Sequence, residues 1–291
     1  TDEQKREYLH KNWLSLNYYE RFVFTKLITG SFRIGVSQKL MTRALSKATG
    51  VDEDILAYKL MGDWNPNTIS FQELILDEKS SDFQSKPYPF YLAYPIEGEP
   101  SSLGNPDDWA IEHKWDGIRS QTIIRDGEIY VWSRGEELVT DKYPEFQSFI
   151  KNIPDGTVID GEILPFPDGQ VGTFNDLQTR IGRKTVSQSL LQKTPVIIKV
   201  YDLLEWQNED IRERSYLERR QLLEDLMESV HGKNLPLQLS ESVSLNSWEE
   251  IAEERLRSRE MKSEGLMLKR KSSPYQVGRK KGDWWKWKIE P

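Results

Sequence analysis

The sequence predicts an α+β fold, in which a helical N-terminal segment is followed by antiparallel sheets flanked by helices. Three observations predict it. Apolar residues recur at three- and four-residue spacing through residues 1–77, the mark of packed amphipathic helices. After residue 108 the pattern changes to strand runs mixed with helical stretches, which points to an α+β domain. The chain has 291 residues with 37% apolar content, enough for two domains and a sizeable core.

The elements follow in order. Ser37 can cap a helix running through Leu40, Met41, Leu45 and Ala48 to a stop at Gly50. Asp52 can cap the next, with Ile55, Leu56, Tyr58 and Leu60 following and Gly62 ending it. Ser70 can open a third with Phe71, Leu74 and Ile75. Residues 78–90 are polar, Ser-rich and Pro-punctuated and read as a linker, continuing to residue 108 as the approach to a second domain over 109–291. There Gln121–Arg125 and Glu128–Ser133 flank Asp126-Gly127, a two-residue hairpin signal. Thr157–Leu164, Pro195–Leu204, Leu235–Glu241, Gly265–Lys269 and Trp284–Lys288 also read as strands. Helical stretches fall near 144–151, 173–181, 209–230 and 247–262.

Composition narrows the chemistry. There is no cysteine, so a disulfide scaffold, a thiol nucleophile and a cysteine-held zinc are excluded. Three histidines argue against a histidine-rich metal site. No run of eighteen apolar residues exists, so no membrane span is expected. No signal peptide is visible, and because Thr1 is not an initiator Met the natural start is expected upstream. The net charge is −7, yet residues 1–50 carry +5 and residues 261–291 carry +6, leaving −18 between them. Two basic ends around an acidic middle suit a polyanionic partner, although charge alone favours an unevenly solvated surface.

Five short elements carry candidate chemistry. The run Glu112-His113-Lys114-Trp115-Asp116-Gly117-Ile118-Arg119 places a lysine at a strand end, beside a carboxylate and ahead of a glycine turn. A lysine attacks only as the free amine, and its unperturbed pKa is about 10.4, so a nucleophilic lysine belongs in a partly buried, cationic pocket. Read alone, this run is a turn at Asp116-Gly117 with Lys114 and Arg119 as exposed charges. Asp160-Gly161-Glu162 puts an acid in a strand, where it can accept hydrogen bonds from sugar hydroxyls or serve as an ordinary edge acid. Tyr201, in Val200-Tyr201-Asp202-Leu203-Leu204, can stack on a base or sit in the core. Ser263-Glu264-Gly265-Leu266-Met267-Leu268-Lys269 is an acid entering a strand that ends in a base. In Asp283-Trp284-Trp285-Lys286-Trp287-Lys288 two lysines at i and i+2 share one strand face. They repel unless an anion lies between them, so a phosphate site competes with a guarding cationic edge strand.

Together and in this order, these elements resemble the signature of the covalent nucleotidyltransferases, which comprise ATP-dependent DNA ligases, RNA ligases and messenger-RNA capping enzymes. Ser133-Arg134-Gly135-Glu136 resembles the family's second motif. The DNA ligases are the most similar group, on Ser273-Pro274-Tyr275, Gly278-Arg279 and Pro89-Phe90-Tyr91-Leu92-Ala93. The segment from Gly30 to Ser37 resembles the end of a helical DNA-binding domain, with Arg33, Gly35 and Ser37 as phosphate contacts.

The resemblance implies an adenylation domain and a division of labour within it. Lys114 is the nucleophile that takes AMP from ATP, with Asp116, Lys286 and Lys288 as further catalytic residues. Glu112, Arg119, Arg134, Glu162, Tyr201, Lys286 and Lys288 bind the nucleotide. Glu264 and Glu162 hold Mg²⁺. His113 carries no role. The partner implied is nicked double-stranded DNA, the enzyme a monomer, and its place the cytoplasm, nucleoid-associated in a bacterium. RNA ligase or capping chemistry, and a non-catalytic DNA-binding module, are the alternatives. The oligonucleotide-binding (OB-fold) barrel that follows in the family is absent here, so the chain is expected to be a fragment.

Overall fold

The computed structural model describes residues 2–29, 38–60, 64–77, 85–183 and 186–289. Arg33, Gly35 and Ser37, with the cap at Ser37 and the stop at Gly62, lie outside the described residues.

The N-terminal part consists of helices α1 (Asp2–Ser15), α2 (Tyr18–Thr29), α3 (Gln38–Thr49) and α4 (Glu53–Lys59). Gly50 ends α3 with a φ of 75°, the left-handed turn that favours glycine. The Asp52 carboxylate accepts a bond from the Ile55 N–H at 3.3 Å at the start of α4. The helix expected from Ser70 is instead a π-helical turn over Gln72–Leu76, closed by the Asp77 N–H donating to the Gln72 carbonyl. Ser70 and Glu73 still form its reciprocal box, with the Ser70 N–H donating to Glu73 at 2.8 Å and the Glu73 N–H to Ser70 Oγ at 3.2 Å. Leu56, Leu74 and Ile75 form a small core there with Leu45, Val51, Leu60 and Ile69. α1 and α2 bury no side chain.

Residues 85–90, inside the run expected as linker, are packed against the body. The Tyr88 N–H donates to Gln121 Oε1 at 2.7 Å and its carbonyl accepts from Gln121 Nε2 at 2.8 Å. The Tyr88 hydroxyl donates to Glu205 at 2.6 Å, and the Arg212 guanidinium stacks 3.9 Å from its ring.

The body is built on strands β1 (Tyr91–Leu92), β2 (Tyr94–Pro95), β3 (Trp109–Trp115), β4 (Ile118–Arg125), β5 (Glu128–Ser133), β6 (Thr157–Pro165), β7 (Val196–Trp206), β8 (Glu209–Asp210), β9 (Leu237–Leu239), β10 (Ser242–Val243), β11 (Ser263–Arg270), β12 (Gly278–Arg279) and β13 (Trp284–Lys288). One sheet runs β5-β4-β6-β7-β8 with β9 beside β7, and another runs β10-β3-β11-β13-β2. The long ladders are antiparallel, and short parallel pairs occur at β1–β12, β2–β13 and β7–β9. Helices α5 (Phe174–Ile181), α6 (Gln188–Lys193), α7 (Tyr216–Ser229) and α8 (Trp248–Leu256) flank them.

The β4–β5 hairpin turns at Asp126-Gly127, both with positive φ, as the dipeptide requires. A second such turn, Gln207-Asn208, joins β7 to β8, so the helix expected over 209–230 begins only at Tyr216, behind a Ser215–Glu218 capping box. The stretch 144–151 is 3₁₀ rather than α. Tyr143, Phe146 and Phe149 stack at centroid distances of 5.4 and 5.3 Å. Three residues per turn superimposes i and i+3, which is what this aromatic column needs. The main core, around Phe146, Ile159, Ile163, Val200 and Leu223, lies between the larger sheet and its helices. Trp109, Ile111, Ile251, Leu266, Leu268 and Trp285 form a second core under α8.

Candidate active site

A cleft of about 570 Å³ is lined by both sheets, with Lys114 from β3, Arg119 from β4, Glu162 from β6, Tyr201 from β7, Glu264 and Lys269 from β11, and Lys286 and Lys288 from β13. Strand alternation explains the lining. Glu112 and Lys114 share one face of β3, and Lys286 and Lys288 share one face of β13, while Trp285 and Trp287 pack under α8. Gly117 lets the chain turn tightly here, because a Cβ would lie 2.3 Å from the Ile163 carbonyl.

The centre of the cleft is one carboxylate between two lysines. Glu264 Oε2 lies 2.6 Å from Lys114 Nζ and 2.8 Å from Lys288 Nζ. Burial works to raise the Glu264 carboxyl, but the bonds and charges of the two lysines outweigh it and hold it below its ordinary value. Asp116 is pushed up by burial and by the Glu264 charge beside it. Lys286 is pushed down by burial and then by Arg279, Lys288 and Lys114. Glu162 is raised to about 7 by burial, against the opposing charges of Lys114, Arg119 and Arg134.

Glu264 reaches this face through an irregularity. In β11, Met267 and Lys269 face the cleft while Leu266 and Leu268 enter the α8 core, so strict alternation would send Glu264 into the core. The ladder with β3 shifts register between Ser263 and Leu266, and this bulge turns Glu264 toward Lys114 and Ser263 toward the core side. Gly265 makes it possible, with a φ of 135° and a Cβ position only 2.2 Å from the Trp287 carbonyl.

The floor is a buried ion pair. Lys269, 1% exposed, donates to both Glu112 oxygens at 3.2 and 3.1 Å, and its ammonium lies 4.4 Å from the Tyr201 ring centroid. The Tyr216 hydroxyl donates to Glu112, and Arg220 stands 3.9 Å away, so α7 braces the acid. Burial pushes Lys269 down against the pull of Glu112. Arg119 is bound into the wall. It donates to Asp160 at 3.1 and 2.7 Å and to the Tyr91 carbonyl at 2.6 Å.

The structure thus brings Glu112, Lys114, Asp116, Arg119, Arg134, Glu162, Tyr201, Glu264, Lys286 and Lys288 to one cleft. Sequence reasoning used Lys269 and Arg279 as motif residues without giving them a role and did not single out Tyr216 or Arg220, although the alternation of Met267 and Lys269 already placed Lys269 on a definite face. Among the described residues, no cluster of three or more His, Asp or Glu side chains forms a ready metal cage. The donor set still suits Mg²⁺, which takes one or two carboxylates and completes its shell with water and substrate phosphates. Glu264 with Asp116 beside it presents those hard oxygens next to the lysines.

The family model for the ATP-dependent DNA ligase domain matches residues 92–288. The chain belongs to that family. A probable DNA ligase of Koribacter versatilis is 29% identical over 289 residues, covering 91% of this chain and 50% of that protein. A DNA ligase of Methanosphaera stadtmanae is 28% identical over 285 residues, covering 96% and 51%. The chain therefore spans about half the length of these curated relatives. Among solved structures, mycobacterial DNA ligase D complexed with ATP and MES aligns with a TM-score of 0.55 at 29% identity, over 69% of this chain and 60% of that one. The Chlorella virus DNA ligase-adenylate, at 18% identity and a TM-score of 0.52 over 69% and 68%, shares the ligase-domain fold. Among the described residues no helix is long and apolar enough to cross a membrane.

Proposed function

We propose that this chain performs the nucleotidyl transfer of an ATP-dependent DNA ligase acting on nicked double-stranded DNA, as a monomer in the cytoplasm, nucleoid-associated in a bacterium. Residues 1–77 are read as a DNA-binding segment, 78–108 as the passage between domains and 109–291 as the adenylation domain. The observation that carries the proposal is Lys114, a partly buried amine held at 2.6 Å from Glu264 in a cleft where the same sheet presents Lys286 and Lys288 two strands away.

The floor suits adenine. Glu112 offers an acceptor and Lys269 a donor side by side, the complement of the adenine amino group and its neighbouring ring nitrogen. Guanine reverses that order of donor and acceptor. Tyr201 supplies a flat face beside them, and Glu162 an acceptor for the ribose. Lys286 and Lys288 hold the α-phosphate, and Arg134 stands at the rim for a phosphate. Mg²⁺, held by Glu264 and Glu162 with Asp116 at hand, would neutralise phosphate charge.

Lys114 Nζ, having lost its proton, attacks the α-phosphorus. An N–P bond forms, the bond to pyrophosphate breaks, and lysyl-AMP remains. A 5′-phosphate oxygen at the nick then displaces Lys114 from phosphorus, and the 3′-hydroxyl finally displaces AMP and closes the strand. Transfer of this kind needs alignment and charge neutralisation, which the lysine-rich wall supplies. Intact mass after incubation with ATP and Mg²⁺, followed by peptide mapping, tests the reading. One AMP on Lys114, removed by pyrophosphate and absent from Lys114→Ala, is expected. A chain that takes up no AMP, or a Lys114→Ala chain that still does, overturns it.

A further inference from the structure

His113 lies between Glu112 and Lys114 on β3 but points the other way, to the α8 side of the sheet. It is 7% exposed. Its Nε2 lies 3.0 Å from Glu254 Oε1 and its Nδ1 lies 3.2 Å from Ser263 Oγ. Glu254 is itself held by Arg257 at 3.1 Å.

The position of Ser263 makes this contact matter. Ser263 directly precedes Glu264, inside the stretch where the β11–β3 register slips. On its other edge the strand is held by β13, where Gly265 pairs with Lys288 and the Ile289 N–H donates to the Glu264 carbonyl at 3.0 Å, but toward β3 the ladder is interrupted between Ser263 and Leu266. The imidazole bridges that interruption. It fastens the bulged strand, one residue before Glu264, to β3, one residue before Lys114. The Ser263 hydroxyl also reaches the Ser258 carbonyl at 3.2 Å, which ties the same corner to the turn after α8.

We propose that His113 is a positioning residue for lysine adenylation, acting through Ser263 to keep the bulged start of β11 in the register that aims Glu264 at Lys114 and Lys288. The role rests on the adenylation reading above. Glu254 from α8, Arg257 after it, Glu241 from the preceding loop and the Trp115 ring, at 5.9 Å, are the groups that face the imidazole. Burial is the largest influence on it and favours the neutral ring, against the pull of Glu254. The neutral ring can donate from Nε2 to Glu254 and accept at Nδ1 from Ser263, whose single hydroxyl proton is shared between the imidazole and the Ser258 carbonyl.

The test is single-turnover AMP uptake by wild type, His113→Leu, His113→Asn, Ser263→Ala and the double variant His113→Leu/Ser263→Ala. Outer groups that orient a metal-holding carboxylate are worth about tenfold or more in activity. His113→Leu keeps the packing and is expected to slow AMP transfer by about that factor, with the ATP concentration for half-maximal rate unchanged. Asparagine places an amide near the Nδ1 position and is expected to restore most of the rate. The double variant should be no slower than His113→Leu, because both changes cut one connection. Hydrogen exchange across 262–266 should quicken in His113→Leu and not in His113→Asn. Equal rates in wild type and His113→Leu, or additive losses in the double variant, overturn the role while leaving adenylation standing. A wild-type chain that takes up no AMP defeats the adenylation reading, and this role with it.

Discussion

Single side chains in the cleft are held in charge states that work against the stability of the fold. Glu162 has the clearest consequence. Its carboxyl sits at about 7 instead of the ordinary 4.5 because burial disfavours the anion. Between those values the folded chain keeps a proton that the unfolded chain has released, so stability falls as pH rises from about 4.5 to about 7. Above that range the full penalty is present. Glu162→Gln removes it. The variant should melt higher than wild type at pH 8 and nearly alongside it at pH 4, by on the order of 2–4 °C for each kcal/mol relieved. Thermal melts across that range would detect it, and parallel curves for the two proteins would refute it. The same variant should bind ATP more weakly, since an amide is a poorer acceptor for the ribose than a carboxylate. A stabilising change that weakens binding marks a residue kept for function rather than for the fold.

At the scale of elements, the bulge of β11 decides whether a site exists. Gly265→Ala meets a φ of 135° and the Trp287 carbonyl at 2.2 Å, so the strand must either straighten or part from β13. A straightened strand sends Glu264 toward Leu266 and Leu268. The expected loss is at least ~2 kcal/mol of stability, read by urea denaturation, together with AMP transfer. Wild-type stability in this variant would contradict that account. The same element shows what the sequence could and could not reveal. Asp126-Gly127 announced its hairpin because the turn is chemically local, and β5 and β13 fall where their alternation put them. The paired lysines of β13 were legible for the same reason. The face of Glu264 was not, because it depends on a carbonyl brought up from another strand. Nor was the Glu112–Lys269 pair, whose partners are 157 residues apart and meet only when β3 and β11 pair. The 3₁₀ column of Tyr143, Phe146 and Phe149 carries an i, i+3 spacing that an α-helix shares, so only the stacking tells them apart.

For the whole molecule the question is how the basic helical segment is held relative to the cleft. Residues 1–50 carry +5, and their path to the cleft runs through residues 85–91. That stretch is fastened to the larger sheet by the Tyr88–Gln121 pair, by Trp132 Nε1 donating to the Ser85 carbonyl at 2.5 Å, and by Arg212 stacked on Tyr88. Lys86 reaches back to the helices, donating to the Lys59 carbonyl at 3.2 Å. Lys59, 4% exposed, in turn donates to the carbonyls of Ile75 and Asp77 at 2.9 and 2.8 Å. A duplex that touches both the helices and the cleft gains affinity only if the two are held at a fitting separation. Lys86→Gln loosens that hold without touching the cleft. AMP uptake should be unchanged, and affinity for a nicked duplex should fall about fivefold, the worth of roughly 1 kcal/mol for one lost bond. Salt titration separates this from a lost phosphate contact. A loosened tether leaves the slope of log affinity against log salt as in wild type, whereas a lysine that touches phosphate takes about 0.9 from it when removed. An unchanged affinity would mean that the helices are placed by the DNA itself, and a reduced slope would make Lys86 part of the DNA-binding surface instead of the hinge behind it.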